Sequence, residues 1–73
     1  MREPDKQAQN LTDRELDVIR FISKGLQNKD IASALGISEA TVKIHVHDIY
    51  AKLGLSNRIE LAFYARDKGI GRA

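Results

Sequence analysis

Cysteine is absent from the 73-residue chain, which excludes disulfides, thiolate zinc sites and thiol catalysis. A chain this short buries only about 60% of the surface its unfolded form exposes. Without such staples it must be held by well-packed helices or by oligomerisation. Tryptophan is absent too, and with 2 Tyr and 2 Phe the core has to be aliphatic. Apolar runs are short: Leu61 to Ala65 falls far below the roughly 18 to 20 residues that span a bilayer. No apolar stretch follows Met1 closely enough to act as a signal peptide. Neither membrane nor export is indicated, and a cytoplasmic setting is compatible.

A large charge of one sign is also missing. Lys and Arg number 12 against 10 acidic residues, for a net charge of +2. That balance is compatible with nucleic acid without pointing to it. If the chain binds DNA, the placement of a few cations must do what bulk charge does not. Also lacking are a nucleophile, base and orienter at plausible spacing, a glycine-rich phosphate loop and two carboxylates on one face. No enzyme, cofactor or metal is therefore expected.

What is present is helical punctuation. Residues 1–10 hold the single Pro and little that is apolar, as a flexible linker or N-terminal arm does. Thr12 can cap a helix, Glu15 completes a capping box, and Leu11 can pack on Leu16 as a hydrophobic staple. Helix one should then run from Asp13, with Leu16, Ile19 and Ile22 at helical spacing, widened by Val18 and Phe21, and Gly25 as its stop. Asn28 can cap helix two, with Asp30 in its first turn and Ile31, Ala32 and Leu35 as its apolar stripe. Gly36, Ile37 and Ser38 form a three-residue turn in which the glycine can take positive φ and the serine can cap the next helix. Helix three runs from Glu39 to about Leu53, and helix four from Asn57, capped by Ser56, to about Lys68. The expected fold is all-α, a compact four-helix domain over 11–70, with 71–73 as a C-terminal tail.

On a wheel of about 100° per residue, Val42, Val46, Ile49 and Leu53 fall within about 60° and form a core stripe. Opposite lie Ala40, Lys43, Ile44, His47 and Ala51. One cation, one imidazole, small alanines and an exposed β-branched side chain are odd company for a purely solvated face. They suit a helix that approaches a partner closely, and the early residues of a reader helix meet base edges. His45 sits about 160° from His47 on the same wheel, so the two cannot jointly chelate a metal. The spacing of Ile31, Ala32, Leu35, Gly36, Ile37 and Val42 has the pattern of a helix-turn-helix. A generic helical hairpin in a small bundle remains the alternative from spacing alone.

LTDRE at Leu11 to Glu15, NKDIA at Asn28 to Ala32, LGISEATVKIHV at Leu35 to Val46 and KLGLSNRIELA at Lys52 to Ala62 resemble the DNA-binding domain of LuxR-type (NarL-, FixJ- and GerE-like) transcription regulators. The resemblance covers Leu11 to Ile70. It implies a helix-turn-helix whose helix three enters the major groove, and a helix four that forms a symmetric dimer on two half-sites. Lys43 and Ile44 match the groove-facing positions of that family, while His47 stands where several members carry lysine. A neutral imidazole offers one ring donor and no fixed charge. Ser38, Thr41 and Lys52 flank this face, and Asn28 and Lys29 at the start of helix two offer further phosphate contacts. Arg58 either reaches a phosphate or pairs with Glu15 as an internal tie. The implied partners are double-stranded DNA, a second copy of the chain, RNA polymerase and an upstream receiver or sensor domain. A single-domain regulator would begin at Met1 as here, whereas in a response regulator residues 1–10 would be the linker to the receiver.

Helix four carries apolar side chains on two sides. Leu61, Tyr64 and Ala65 cluster within about 100°, and Ile59, Ala62 and Phe63 form a separate arc. One arc suffices to close the core. The other, with Arg66, is the expected dimer face. A competing function is a protein-interaction module resembling sigma-factor region four or an adaptor domain. Salt separates the two, because DNA affinity falls steeply with salt and an apolar protein interface barely responds.

Overall fold

A computed structural model describes residues 10–71. Among these residues there are four helices and no strand: α1 Asp13–Ser23, α2 Asn28–Leu35, α3 Glu39–Leu53 and α4 Arg58–Asp67. The chain is therefore all-α, as its spacing and glycines predict. The expected arm over 1–10 and tail over 71–73 lie outside the described residues, apart from Asn10 and Gly71.

Thr12 starts α1 through a reciprocal capping box. Its hydroxyl accepts from the Glu15 amide at 3.1 Å, and Glu15 Oε1 accepts from the Thr12 amide at 2.9 Å. Two otherwise orphaned donors are thereby satisfied. The face buried by α1 is Val18, Ile19 and Ile22, with Leu16 and Phe21 at its edge. Val18, expected only to widen the stripe, is fully buried, whereas Leu16 lies on the margin.

The turn between α2 and α3 is closed by Gly36 at φ +68°. In that left-handed conformation the Ile37 amide reaches back to the Ala32 carbonyl at 3.0 Å, which satisfies a carbonyl of the last turn of α2. A Cβ at Gly36 would meet nothing within 4 Å, so glycine is required for its backbone conformation and not for space. Ser38 then caps α3, its Oγ accepting from the Thr41 amide at 3.1 Å. Gly54 ends α3 in the same left-handed way.

Two capping expectations are corrected. The N-cap of α2 is Gln27 with no side-chain hydrogen bond; Asn28 is the first residue of the helix itself, and its amide oxygen accepts from Arg58. The N-cap of α4 is Asn57 and not Ser56: Asn57 Oδ1 accepts from the Glu60 amide at 2.9 Å. Glu60 in turn accepts from the Ser56 amide at 2.6 Å, so the serine contributes its backbone and the asparagine its side chain.

Helix α1 packs against both α3 and α4, and α2 packs against α3. Ile19, Ile31, Ile49, Leu61, Val18 and Val42 meet at the centre and are wholly buried. Each contributes about 1.5 to 3 kcal/mol of apolar transfer. Truncation such as Ile49→Ala removes that and leaves a cavity, at a cost of about 2 to 5 kcal/mol. Because Val42, Val46, Ile49 and Leu53 are all buried, α3 is fixed in rotation about its axis. Its outer face has one direction in which to point.

Candidate nucleic-acid interface

The outer face of α3 follows from that fixed rotation. Lys43 and His47 are exposed, and Ile44 keeps 60% of its surface in solvent. Ala40 and Ala51 lie on the same side, also exposed, and their small side chains leave the helix backbone close to any surface laid against it. His45 is half-buried on the flank of the core stripe. At the N-terminal end, the Ser38 and Thr41 hydroxyls are 2.8 Å apart, so either can turn its remaining hydrogen-bonding capacity outward. The wheel thus brings Lys43, Ile44 and His47 together on one strip, with Ser38 and Thr41 at its leading edge.

The start of α2 lies beside it. Gln27, Asn28, Lys29, Glu39 and Arg58 line one shallow hollow. Arg58 is half-buried here. Its Nη1 donates to Asn28 Oδ1 at 2.8 Å and its Nη2 donates to the Leu26 carbonyl. Burial pushes the Tyr50 hydroxyl pKa up, and the Arg58 guanidinium works against that rise. The internal tie expected between Arg58 and Glu15 does not form; Arg58 ties α4 to the start of α2 instead.

Glu15 takes a different partner. Lys52 Nζ donates to Glu15 Oε1 at 2.7 Å and to the Asn10 carbonyl at 3.2 Å. Glu15 is only 3% exposed. Burial alone would raise its pKa, yet the Lys52 hydrogen bond and charge and the bonds from Thr12 outweigh it and hold the carboxyl below its ordinary value. Lys52, expected beside the groove face as a phosphate contact, is thus turned toward the interior carboxylate. No buried side-chain nitrogen or oxygen among the described residues lacks a partner.

On α4, Leu61 and Ala65 are wholly buried. On the other arc, Ile59 is 69% and Phe63 64% exposed, Ala62 is half-buried and Arg66 exposed. The two arcs read from the wheel therefore face opposite environments. Among the described residues no group of three or more His, Cys, Asp or Glu could hold a metal ion, and no helix is long and apolar enough to cross a membrane.

With this geometry in place, comparison with known proteins is decisive. The profile of bacterial regulatory proteins of the luxR family matches residues 9–65. The chain belongs to the LuxR family. Among its relatives, an HTH-type transcriptional regulator of Mycobacterium bovis is 48% identical over 60 residues, 82% of this chain. The nitrate/nitrite response regulator protein NarP of Escherichia coli is 51% identical over 49 residues, 67% of this chain. The response regulator NarL of the same species is 39% identical over 66 residues, 90% of this chain. The LuxR-type chain spans only 7% of the mycobacterial relative's length, 23% of NarP and 31% of NarL. The match identifies the helix-turn-helix domain of a DNA-binding, transcription-regulating family.

Reading the LuxR-type sequence alone misses the Lys52–Glu15 pair and the Arg58–Asn28 bond. Their partners are separated by 37 and 30 positions. Periodicity within one helix carries no information about which cation meets which acceptor across the core. The available hint is that Glu15 sits one turn before Val18 and Ile19 on a burying face, where a carboxylate needs a cation.

Proposed function

We propose that this chain binds double-stranded DNA sequence-specifically, with α3 in the major groove. The observation that carries the reading is the solvent-facing strip of Lys43, Ile44 and His47, bounded by exposed alanines, on a helix whose opposite face is locked in the core. Lys43 suits the acceptor edge of guanine, and Ile44 the methyl group of thymine. His47 offers a single neutral donor where a lysine would add charge. Ser38, Thr41, Asn28 and Lys29 are read as phosphate contacts that set the register without reading sequence, and Arg58, whose guanidinium serves Asn28 and Leu26, supports them from behind. Lys52 is left out of that set because its ammonium already serves two internal acceptors.

The domain acts as a dimer on two half-sites. The arc of Ile59, Ala62, Phe63 and Arg66 supports this, since two large apolar side chains, Ile59 and Phe63, stand exposed on one side of a short helix, and grouped exposed apolar surface marks interfaces. One short helix pairing with itself buries less than the roughly 1,200 Å² of a stable complex. Dimers therefore form mainly on DNA, where the first bound copy raises the effective concentration of the second. An upstream receiver or sensor domain, contact with RNA polymerase and a cytoplasmic setting belong to this reading by likeness to relatives named as response regulators. A protein-interaction module is not favoured, given relatives named as transcriptional and response regulators.

Selection of bound duplexes from a random pool tests binding, motif and half-site spacing together. An enriched pair of half-sites is expected. Enrichment of single sites with no second half at fixed spacing would remove the dimer, and no enrichment at all would remove the groove reading.

A further inference from the structure

Lys52 lies in the last turn of α3, next to the buried Leu53. An ammonium has three donors and no acceptor, and two of these are placed: Glu15 Oε1 at 2.7 Å and the Asn10 carbonyl at 3.2 Å. The same Glu15 oxygen accepts from the Thr12 amide at 2.9 Å. The stretch from Asn10 to Glu15 and the end of α3 are thereby joined at one ammonium. Leu11, between them, is only 9% exposed, so the stretch is pinned on both sides of its backbone.

Swinging Lys52 out to a phosphate would strip a carboxylate that is 3% exposed of its counter-ion. Leaving a buried charge unpaired is among the more costly changes a fold can suffer. The alternative acceptor, a phosphate at the protein surface, is screened by water and salt. The balance keeps the ammonium on Glu15.

We infer that Lys52 is a positioning residue that latches the incoming chain at Asn10 onto the last turn of α3, and that it is not a phosphate ligand. The Asn10–Glu15 stretch is then coupled to the reader helix: displacing the Asn10 carbonyl perturbs the Lys52–Glu15 pair, and the pair braces α3. The latch itself is independent of DNA, and only its effect on reading rests on the function proposed above.

The test uses the whole 73-residue chain with Lys52→Met and Lys52→Gln, the latter uncharged yet able to donate to both acceptors. Amide hydrogen exchange is followed at Thr12 and at the core amides of Ile19 and Ile49, and the salt slope is measured on a duplex selected by the parent. Loss of a bond of this kind changes a local equilibrium by about tenfold. Lys52→Met should therefore speed Thr12 exchange about tenfold beyond any change at Ile19 and Ile49. Lys52→Gln should restore most of that protection, and both variants should keep the parental slope. A slope reduced by about one in the glutamine variant would make Lys52 a phosphate ligand and overturn the inference. Thr12 accelerating only in step with Ile19 and Ile49 would overturn it too, as a plain contribution to global stability. If Lys52→Met does not fold, Lys52 serves global stability and the latch is overturned, while the slope of the glutamine variant still decides the phosphate question. If the parent selects no duplex, the groove reading fails while the exchange comparison still decides the latch.

Discussion

Arg58, the first residue of α4, donates from Nη1 to Oδ1 of Asn28, the first residue of α2, at 2.8 Å. Its second nitrogen holds the Leu26 carbonyl, so one planar fork fixes the loop that leads into the helix-turn-helix. Lysine cannot reproduce a fork of this kind. Arg58→Lys and Asn28→Ala should each lower stability by about 1 to 2 kcal/mol, and the double variant should cost less than their sum because they share one bond. Thermal melts of the three variants check this, with full additivity as the contrary result. A salt slope that drops by about one in Arg58→Lys is not expected, since charge is retained.

Base reading and backbone holding differ in kind. Lys43→Ala should weaken specific binding by about 1 to 3 kcal/mol and relax preference at one base pair. Lys29→Ala should weaken binding to every duplex alike and lower the salt slope by about one. Titrations against the selected duplex and its single-base variants separate the two. Equal, sequence-independent losses would take Lys43 out of base readout.

Phe63 is 64% exposed, so a carboxylate there is solvated in the monomer. Phe63→Glu should leave the melting temperature unchanged and abolish cooperative binding to two half-sites, while binding to one half-site persists. Retained cooperativity would place the dimer contact elsewhere.

Stability should also report on Glu15. Its folded-state pKa is held below the ordinary carboxylate value by Lys52 and Thr12 against the opposing effect of burial. A depressed acid contributes stability that is fully present above its unfolded pKa and is lost as pH falls through the folded value. Parental stability should therefore decline on acidification below the ordinary carboxylate range. Glu15→Gln should be less stable near neutrality and should lose less on acidification. Parallel curves for parent and variant would deny the carboxylate this role.

Much of the fold is legible in the sequence, because local chemistry decides it. Thr12 and Glu15 stand at capping-box spacing, Gly36 and Gly54 can take positive φ, and Val42, Val46, Ile49 and Leu53 share one side of a helix. Those relations hold within a few residues and survive in any tertiary setting. The exposed strip of Lys43, Ile44 and His47 is the complement of that stripe, and the exposed arc of Ile59 and Phe63 is the complement of Leu61 and Ala65. Pairing across the core is not legible in this way. Asn28 looks like a cap but is the first residue of α2, with its amide oxygen on Arg58, and Lys52 looks like a surface cation until Glu15 is seen buried beneath it.

The most direct measurement for the central claim is a titration of labelled selected duplex with the whole chain at several salt concentrations. Groove binding with several phosphate contacts predicts a steep linear fall of log affinity with log salt, by roughly 0.9 per phosphate neutralised. A chain that leaves the duplex unbound at low salt, or binds with an affinity indifferent to salt, would contradict it.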